Sequence, residues 1–269
     1  YGKYAMEYVC GIPVALAAPS IFTIYRKSLT LSDCLVIAVS QSGEAADVLE
    51  VVKKARESGA VTVSITNNTG SPLAAEAKYH LYCNAGAEKS VAATKTFSSE
   101  IYLLAHLIAD MANDSNLKRD LAKVPEGILE ILAQKEQICK KIERFRFMDE
   151  CIVLARGINY SVALEAALKI QETSYVRAKA YATSDFYHGP FAIIQKDMPV
   201  IVFAPEGPTL PDLNEMVHKL DQSQAEIIIV SNCKEMLAKG KCSFETPKAP
   251  SDLISPFFNI VVAQMFACG

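Results

Sequence analysis

The sequence contains no cluster of lysine and arginine residues and no apolar run long enough to cross a bilayer. The formal net charge is −3 at pH 7, so a basic surface that binds nucleic acid is not expected. A membrane-spanning helix needs about 20 consecutive apolar residues, and a signal peptide has its own pattern; neither is found. We therefore expect a globular protein that has neither nucleic acid nor membrane among its partners.

The chain also lacks any Cys-x-x-Cys pair, although it contains eight cysteines. They are scattered, and Cys34 and Cys151 stand in apolar, strand-like stretches. At a length of 269 residues this pattern argues against a disulfide framework and predicts reduced cysteines in a cytoplasmic protein. The four histidines show no paired ligand spacing, so we expect no metal site.

What the sequence does contain is an alternation of short apolar runs with longer helical patterns. The runs that indicate strands are 34–39, 60–66, 79–84, 151–155, 199–204 and 226–231, and the helical stretches are 44–59, 96–112, 160–175 and 208–223. This alternation predicts an α/β fold with parallel sheets. All the runs except 79–84 are apolar almost throughout, as expected for strands covered on both faces.

An internal repeat relates the two halves of the chain. Ile37 and Ile65 lie 28 residues apart, as do Ile201 and Ile229, and the offset between the halves is 201 − 37 = 164. The repeat predicts two tandem subdomains over 1–115 and 147–269, joined by a helical connector over 116–146. The counterpart of strand 151–155 would start at 151 − 164 = −13, so we expect the chain to be part of a longer protein.

The stretch 35-LVIAVSQSGEAADVLEVVKKA-55 places Ser40, Gln41, Ser42 and Gly43 between a buried strand and a helix. In parallel sheets, ligands bind beyond the carboxyl ends of the strands. A helix that starts there offers unpaired N–H groups, and a glycine allows the backbone to approach an anion. The loop therefore predicts a phosphate site, although Ser42 acting as a simple helix cap is an alternative.

A second loop, 84-NAGAEKSVAATKTF-97, precedes another helix. Ser90, Thr94 and Lys95 could add hydroxyls and one cation to the same anion. The simpler alternative is helix capping with a solvated lysine.

In the second half, Glu165, Lys169 and Glu172 follow a spacing of i, i+4 and i+7, which places them on one helical face. An exposed salt-bridge face is the common explanation for such a pattern. Here the stretch is mostly Ala, Leu and Ile, which indicates a buried helix, where charged groups are costly and usually functional. His188 follows in a Tyr-His-Gly-Pro turn, which exposes its side chain.

Taken together, these motifs resemble the SIS (sugar isomerase) family, which includes the isomerase domain of glucosamine-6-phosphate synthase and stand-alone phosphosugar isomerases and deaminases. The residues that carry the resemblance are 40-SQSGEAADV-48, 83-CNAGAEKSVAATKTF-97, 161-SVALEAALKIQETSYVRAKAY-181, 188-HGP-190 and 198-MPVIVFAP-205. The resemblance implies two SIS subdomains, each a flavodoxin-like three-layer sandwich with a parallel sheet flanked by helices.

The resemblance also implies roles for individual residues. Ser40, Gln41 and Ser42 would hold the phosphate, and the loop over Val91–Lys95 would line the sugar. Its members are Val91, Ala93, Thr94 and Lys95, although the synthase commonly has serine where this chain has Ala93. Glu172 would carry a proton between C1 and C2 with Lys169 and Glu165 as partners. His188 would open the sugar ring in the site of a neighbouring subunit, which makes a homodimer with shared sites the expected assembly.

These features predict an enzyme that isomerises or deaminates a hexose 6-phosphate, most simply glucosamine 6-phosphate or fructose 6-phosphate, without metal or organic cofactor. The lack of a glutaminase domain in this chain favours the stand-alone type. The isomerase half of a glutamine-dependent synthase is the alternative within the same class. A non-catalytic sugar-phosphate sensor is the rival from another class, because a sensor needs the serine loops but not the carboxylate.

Overall fold

The computed structural model describes residues 1–89 and 92–268, and the chain divides into two compact units. The first unit comprises Gly2 and Met6–Ala112, and the second comprises Tyr1, Lys3–Ala5 and Asn113–Gly269. The stretch 116–146, predicted as a connector, falls within the second unit. Its separation from two flanking subdomains stays a prediction.

The described residues form helices and strands that alternate along much of the chain. The strands are β1 (Leu35–Val39), β2 (Val61–Thr66), β3 (Tyr79–Tyr82), β4 (Glu150–Ala155), β5 (Arg177–Ala182), β6 (Pro199–Phe203), β7 (Glu226–Ser231) and β8 (Cys242–Glu245). The helices are α1 (Gly2–Cys10), α2 (Ser20–Thr23), α3 (Ala46–Glu57), α4 (Pro72–Glu76), α5 (Lys95–Met111), α6 (Ser115–Leu121), α7 (Val124–Ala133), α8 (Lys135–Ile142), α9 (Tyr160–Ser174), α10 (Thr183–Tyr187), α11 (Leu210–Gln222), α12 (Lys234–Leu237) and α13 (Ser255–Cys268). This order confirms the predicted α/β class.

The first unit contains a parallel sheet in the order β1-β2-β3. The central strand β2 is buried from Thr62 to Thr66, whereas β1 leaves Leu35 and Val39 more than one third exposed. The prediction that β1 is covered on both faces is therefore wrong, because the face that carries Leu35 and Val39 is open. Since the strands are parallel, the loops that follow them start at the same edge of the sheet.

The second unit contains a parallel sheet in the order β5-β4-β6-β7-β8. Its inner strands β4, β6 and β7 are buried almost throughout, as their apolar sequences predict. Helix α13 is buried along nearly its whole length and packs against α9. This packing fixes α9, the helix that carries the predicted acid–base residues, within the unit.

Two strands were not anticipated from the sequence. β5 alternates exposed basic and apolar residues, as in Arg177, Ala178 and Lys179, because it lies at one edge of the sheet. β8 has four residues and lies at the opposite edge. Neither forms the continuous apolar run by which the buried inner strands were identified.

The stretch 116–146, predicted as a helical connector, contains most of α6, then α7, α8 and a 3₁₀ turn at Glu143–Phe145. The Asp114 carboxylate caps α6 by accepting bonds from the N–H groups of Asn116 (2.9 Å) and Leu117 (3.0 Å). Pro125 lies in the first turn of α7, where its missing N–H costs no helical bond. A continuous helix would need that N–H, so the chain breaks between α6 and α7.

None of the helices in the described part of the chain combines the length and apolar character that crossing a membrane requires.

Candidate active site

The loop between β1 and α3 carries the predicted phosphate ligands. Ser40, Gln41 and Ser42 are half-buried and follow β1 directly. The Ser40 N–H donates to the Ile65 carbonyl at 3.0 Å, and the Gln41 carbonyl accepts from the Asn67 N–H at 3.0 Å. These two bonds tie the start of the loop to the end of β2, so its backbone is held in place before any ligand binds.

Gly43 gives this loop its turn. Its φ is +68°, and a Cβ at this position would lie 2.2 Å from the Ser71 Oγ, so a side chain does not fit. The Gly43 N–H donates to the Ser40 Oγ, and the Glu44 N–H donates to the Ser42 Oγ, each at 3.2 Å. Because both hydroxyls accept a bond within the loop, each keeps its own hydrogen as a donor for a ligand.

The alternative that Ser42 caps the following helix does not match the structure. The residue at the N-cap position of α3 is Ala45, which makes no side-chain capping bond. The helix therefore begins without a side-chain N-cap, and the partial positive charge of its N-terminus faces the serine loop. This arrangement favours an anionic ligand such as a phosphate.

Asn67 joins the serine loop to the loop that follows β3, and the sequence analysis missed it. Its side-chain oxygen accepts from the Ala85 N–H at 2.9 Å, and its side-chain amide donates to the Gly86 carbonyl at 2.7 Å. Its own N–H bonds to Gln41 in the first loop. The available signal was the polar run 67–70 directly after β2, at the strand edge where ligand-binding residues collect.

The second predicted loop is only partly described. The Thr94 hydroxyl and the Lys95 ammonium donate to carbonyls within the loop at 3.2 and 2.7 Å. Ala93 is half-buried. Ser90 and Val91 lie outside the described residues. The convergence of these groups on a sugar phosphate therefore stays a prediction.

Glu88 caps the helix that follows this loop. One carboxylate oxygen, Oε2, accepts from the Thr96 hydroxyl (2.9 Å) and from the N–H groups of Thr94 (3.3 Å) and Thr96 (3.4 Å). Partial burial works to raise the pKa of the Glu88 carboxyl, but these hydrogen bonds and the charge of Lys95 outweigh it, so the pKa is lowered. The carboxylate thereby joins Glu88 to the first turn of α5.

The predicted acid–base residues come together on α9. The Lys169 ammonium lies 2.6 Å from the Glu172 Oε2 and 3.6 Å from the Glu165 Oε1. The side chains of Lys169 and Glu165 are 8% and 11% exposed, whereas that of Glu172 is 40% exposed. A buried cation thus holds a carboxylate that is itself open to a ligand.

The two glutamates differ in their surroundings as well as in access. Burial raises the pKa of the Glu165 carboxyl; the Lys169 charge works against this shift, and the nearby Glu172 adds to it. Glu165 therefore binds a proton more readily than an ordinary glutamate does. Such a cluster can move a proton at an exposed carboxylate while a buried pair keeps that carboxylate in position.

His188 lies apart from this cluster in its described contacts. It follows α10 directly, is exposed, and its N–H donates to the Asp185 carbonyl at 3.2 Å. Within residues 1–89 and 92–268, no hydrogen bond or ion pair joins its side chain to Glu172. The predicted role of His188 in a neighbouring subunit is not tested by a single chain. The same described residues contain no group of three or more His, Cys, Asp or Glu side chains arranged to hold a metal ion.

Comparison with known proteins gives a family match over both units. The family model described as SIS domain matches residues 1–109 and 148–269. Glutamine–fructose-6-phosphate aminotransferase (isomerizing) of Aquifex aeolicus (strain VF5) is 34% identical over 269 residues, which is 99% of this chain and 45% of that protein. The protein of the same name from Methanosarcina acetivorans is 36% identical over 277 residues, or 99% of this chain and 44% of that protein.

The solved structures include a close match in fold. The C-terminal domain of glucosamine-fructose-6-phosphate aminotransferase from Francisella tularensis superposes with a TM-score of 0.90 and 26% identity, covering 99% of this chain and 78% of that one. The present chain spans about half the length of the curated relatives that it matches.

Proposed function

The chain belongs to the SIS domain family, and from this premise we propose that it isomerises a hexose 6-phosphate by moving a proton between C1 and C2. The observation that carries the proposal is the Glu165–Lys169–Glu172 cluster on α9, in which the exposed Glu172 carboxylate is bonded to a buried lysine. Aldose–ketose exchange needs one carboxylate that reaches two adjacent carbons, and a protein that merely bound the sugar would not need this cluster.

In the proposed reaction, Glu172 removes the proton from the carbon next to the carbonyl, and the carbonyl oxygen gains a proton to give an enediol. Glu172 then returns the proton to the neighbouring carbon, while the other hydroxyl of the enediol loses its proton to become the new carbonyl. Lys169 donates to Oε2, so we assign the transfer to the other carboxylate oxygen, Oε1. Glu165 keeps the lysine in place. Each of these steps uses the side chains of the chain itself.

The serine loop supplies the binding part of the proposal. The Ser40 and Ser42 hydroxyls, the Gln41 amide and the uncapped start of α3 would hold the phosphate group. Val91, Ala93, Thr94 and Lys95 would line the sugar. Because a phosphate has several acceptor oxygens and carries about 1.5 to 2 negative charges at pH 7, a loop of O–H and N–H donors suits it.

Ring opening requires a further acid–base group, and we assign it to His188. The exposed position of this side chain supports a role in the site of a second copy, and hence a homodimer with shared sites. A cytoplasmic location, inferred from the scattered cysteines, belongs to the same proposal.

A second candidate function concerns the amino group. The relatives named as aminotransferases are similar over 99% of this chain, which supports the isomerase half of a glutamine-dependent synthase that makes glucosamine 6-phosphate. Deamination of glucosamine 6-phosphate would use the same proton transfer but release ammonia. Both reactions keep Glu172 in the same role.

The test is to incubate the chain with fructose 6-phosphate, glucose 6-phosphate and glucosamine 6-phosphate in separate reactions. Isomerisation is followed by NMR detection of the other sugar phosphate, and deamination by ammonia release. We expect interconversion of the two hexose phosphates. Absence of any conversion, together with measurable binding of the sugar phosphates, would identify a sensor and refute the enzymatic proposal.

A further inference from the structure

Two hydroxyls at the end of α9 bond to one carbonyl at the end of α13. The Ser174 Oγ donates to the Ala267 oxygen at 2.9 Å, and the Thr173 Oγ1 bonds to the same oxygen. Ala267 belongs to α13, so the two bonds join the last turn of α9 to that helix.

This contact lies next to the proposed base. Thr173 and Ser174 directly follow Glu172, and the Thr173 Oγ1 also lies 2.8 Å from the Lys169 carbonyl. A threonine has one hydroxyl hydrogen, so Thr173 shares it between Lys169 and Ala267. One side chain thus connects α13 to the residue whose ammonium holds the Glu172 carboxylate.

The same helical turn is held from a second side. The Gln171 side-chain amide donates to the Ala178 carbonyl of β5 at 2.9 Å. Tyr175 then ends the helix in the left-handed conformation, with a φ of +57°. The turn 169–174 is consequently fixed to β5 by Gln171 and to α13 by Thr173 and Ser174.

We propose that Thr173 and Ser174 are positioning residues, which through the Ala267 carbonyl fix the turn that holds the Glu172 carboxylate against Lys169. The apolar packing of α13 against α9 already joins the two helices. A hydroxyl–carbonyl bond adds little to stability beside such packing. It does, however, fix the turn that carries Lys169 and Glu172, and so sets the distance between these two side chains. The inference rests on the proposed role of Glu172.

The test compares kinetics of the double variant Thr173→Val/Ser174→Ala with those of the unaltered chain. We expect kcat for hexose 6-phosphate isomerisation to fall about tenfold, because small misplacements of a catalytic group are costly. KM should stay within about twofold, since the proposed phosphate ligands belong to another loop. The single variant Thr173→Ser keeps the hydroxyl and should retain most of the activity.

Ser161→Ala is the matched control at the other end of α9. The Ser161 Oγ donates to the Ile158 carbonyl at 2.7 Å, so this variant also removes one hydroxyl–carbonyl bond from the same helix. We expect its kcat to remain unchanged. The proposal is overturned if the double variant keeps full kcat, or if Ser161→Ala lowers kcat as much as the double variant does.

Amide hydrogen exchange separates failure of this inference from failure of the proposed function. In the double variant we expect faster exchange in 169–174 and unchanged exchange in α11. If the unaltered chain is active and neither kcat nor exchange responds, the positioning role alone is refuted. If the unaltered chain has no isomerase activity, the proposed function fails and the positioning role fails with it.

Discussion

Lys169 determines what the cluster on α9 can do. Its side chain is 8% exposed and contacts two carboxylates, of which only that of Glu172 is well exposed. A buried ammonium without partners would be destabilising or would lose its proton. The two glutamates therefore have different tasks: Glu165 compensates the buried charge, and Glu172 presents a carboxylate at the surface.

The raised pKa of the Glu165 carboxyl makes a prediction about stability and pH. A carboxyl that binds its proton more tightly in the folded chain than in the unfolded chain favours folding at low pH. This contribution is complete below the ordinary value of 4.5 and is lost as pH rises through the folded pKa. The free energy of unfolding of the unaltered chain, relative to that of Glu165→Gln, should therefore fall as pH rises above 4.5.

Urea unfolding of both proteins across this pH range measures the difference. Glu215→Gln is a matched control, because Glu215 also precedes a lysine, Lys219, by four residues. The Glu215 Oε1 lies 2.9 Å from the Lys219 Nζ, but the Glu215 side chain is 65% exposed. The relative stability of the control should stay constant. A difference between the unaltered chain and Glu165→Gln that rises with pH would contradict the burial of this carboxyl.

The sequence predicted which charged residues share a face of α9 but not which glutamate is accessible. The spacing i, i+4 and i+7 determines the face alone. Exposure depends on the packing of α9 against α13, which is distant in the sequence, and against β5, which was not among the predicted strands. For the same reason, the bonds from Thr173 and Ser174 to Ala267 could not be read from a sequence separation of more than 90 residues.

At the scale of elements, the start of α5 depends on a residue outside the helix. Glu88 accepts bonds from Thr94 and Thr96 and replaces a capping side chain at the N-cap position itself. Replacement of Glu88 by glutamine keeps the shape but removes the negative charge at the helix N-terminus. We expect the free energy of unfolding at pH 7 to fall by about 1 kcal/mol, as for loss of a helix cap.

The pKa of Glu88 is lowered, so its contribution is present above the ordinary value of 4.5 and is lost as pH falls through the folded pKa. The difference between the unaltered chain and Glu88→Gln should accordingly shrink in acid, as measured by chemical unfolding. Glu57→Gln, which alters an exposed pair with Lys54, should show no such trend. If the unaltered chain stays more stable than Glu88→Gln well below the ordinary pKa, the negative charge of Glu88 is not the cause of the stabilisation.

Helices α7 and α13 approach each other at Gly127. A Cβ at this position would lie 2.4 Å from the Phe258 ring, so Gly127→Ala overpacks the contact. Alanine gains about 1 kcal/mol in helix propensity over glycine, whereas overpacking costs about 1 to 3 kcal/mol. We expect a lower Tm by calorimetry. The control Gly2→Ala should not lower the Tm, because its added Cβ would lie at an ordinary contact distance of 3.4 Å from Leu104. A higher Tm for Gly127→Ala would show that α13 shifts to make room for the added methyl group.

The inner strands and the main helices were predictable because each is long, apolar or regularly patterned. The breaks between α6, α7 and α8 were harder to predict, since the charged pattern over 116–145 is helical on both sides of each break. Pro125 was the one local signal. The short edge strands β5 and β8 are defined by pairing with β4 and β7 and not by their own composition.

At the scale of the whole molecule, the internal repeat is visible in the structure. Shifting β1 by 164 residues gives the bounds of β6, and the same shift places β2 one residue from β7. Gly43 corresponds to Gly207, and both have a positive φ. The repeat therefore describes a common plan for the two units.

The two units differ in the loop that follows β1 in the first unit and β6 in the second, although the repeat relates these two loops. Ser40, Gln41 and Ser42 of the first unit correspond to Ala204, Pro205 and Glu206 in the second. The loop of the second unit has no hydroxyl at these positions and carries a negative charge at Glu206, which disfavours binding of a phosphate. In turn, the second unit carries the Glu165–Lys169–Glu172 cluster.

Proton removal by Glu172 is the central claim, and isotope release measures it directly. Glucose 6-phosphate labelled with deuterium at C2 is incubated with the unaltered chain, with Glu172→Gln and with the control Glu215→Gln, and loss of the label from C2, whether to C1 or to water, is followed by NMR. We expect release by the unaltered chain and the control, and a rate about 10³-fold lower for Glu172→Gln, as for loss of a general base. Release by Glu172→Gln at the rate of the unaltered chain would contradict the assignment.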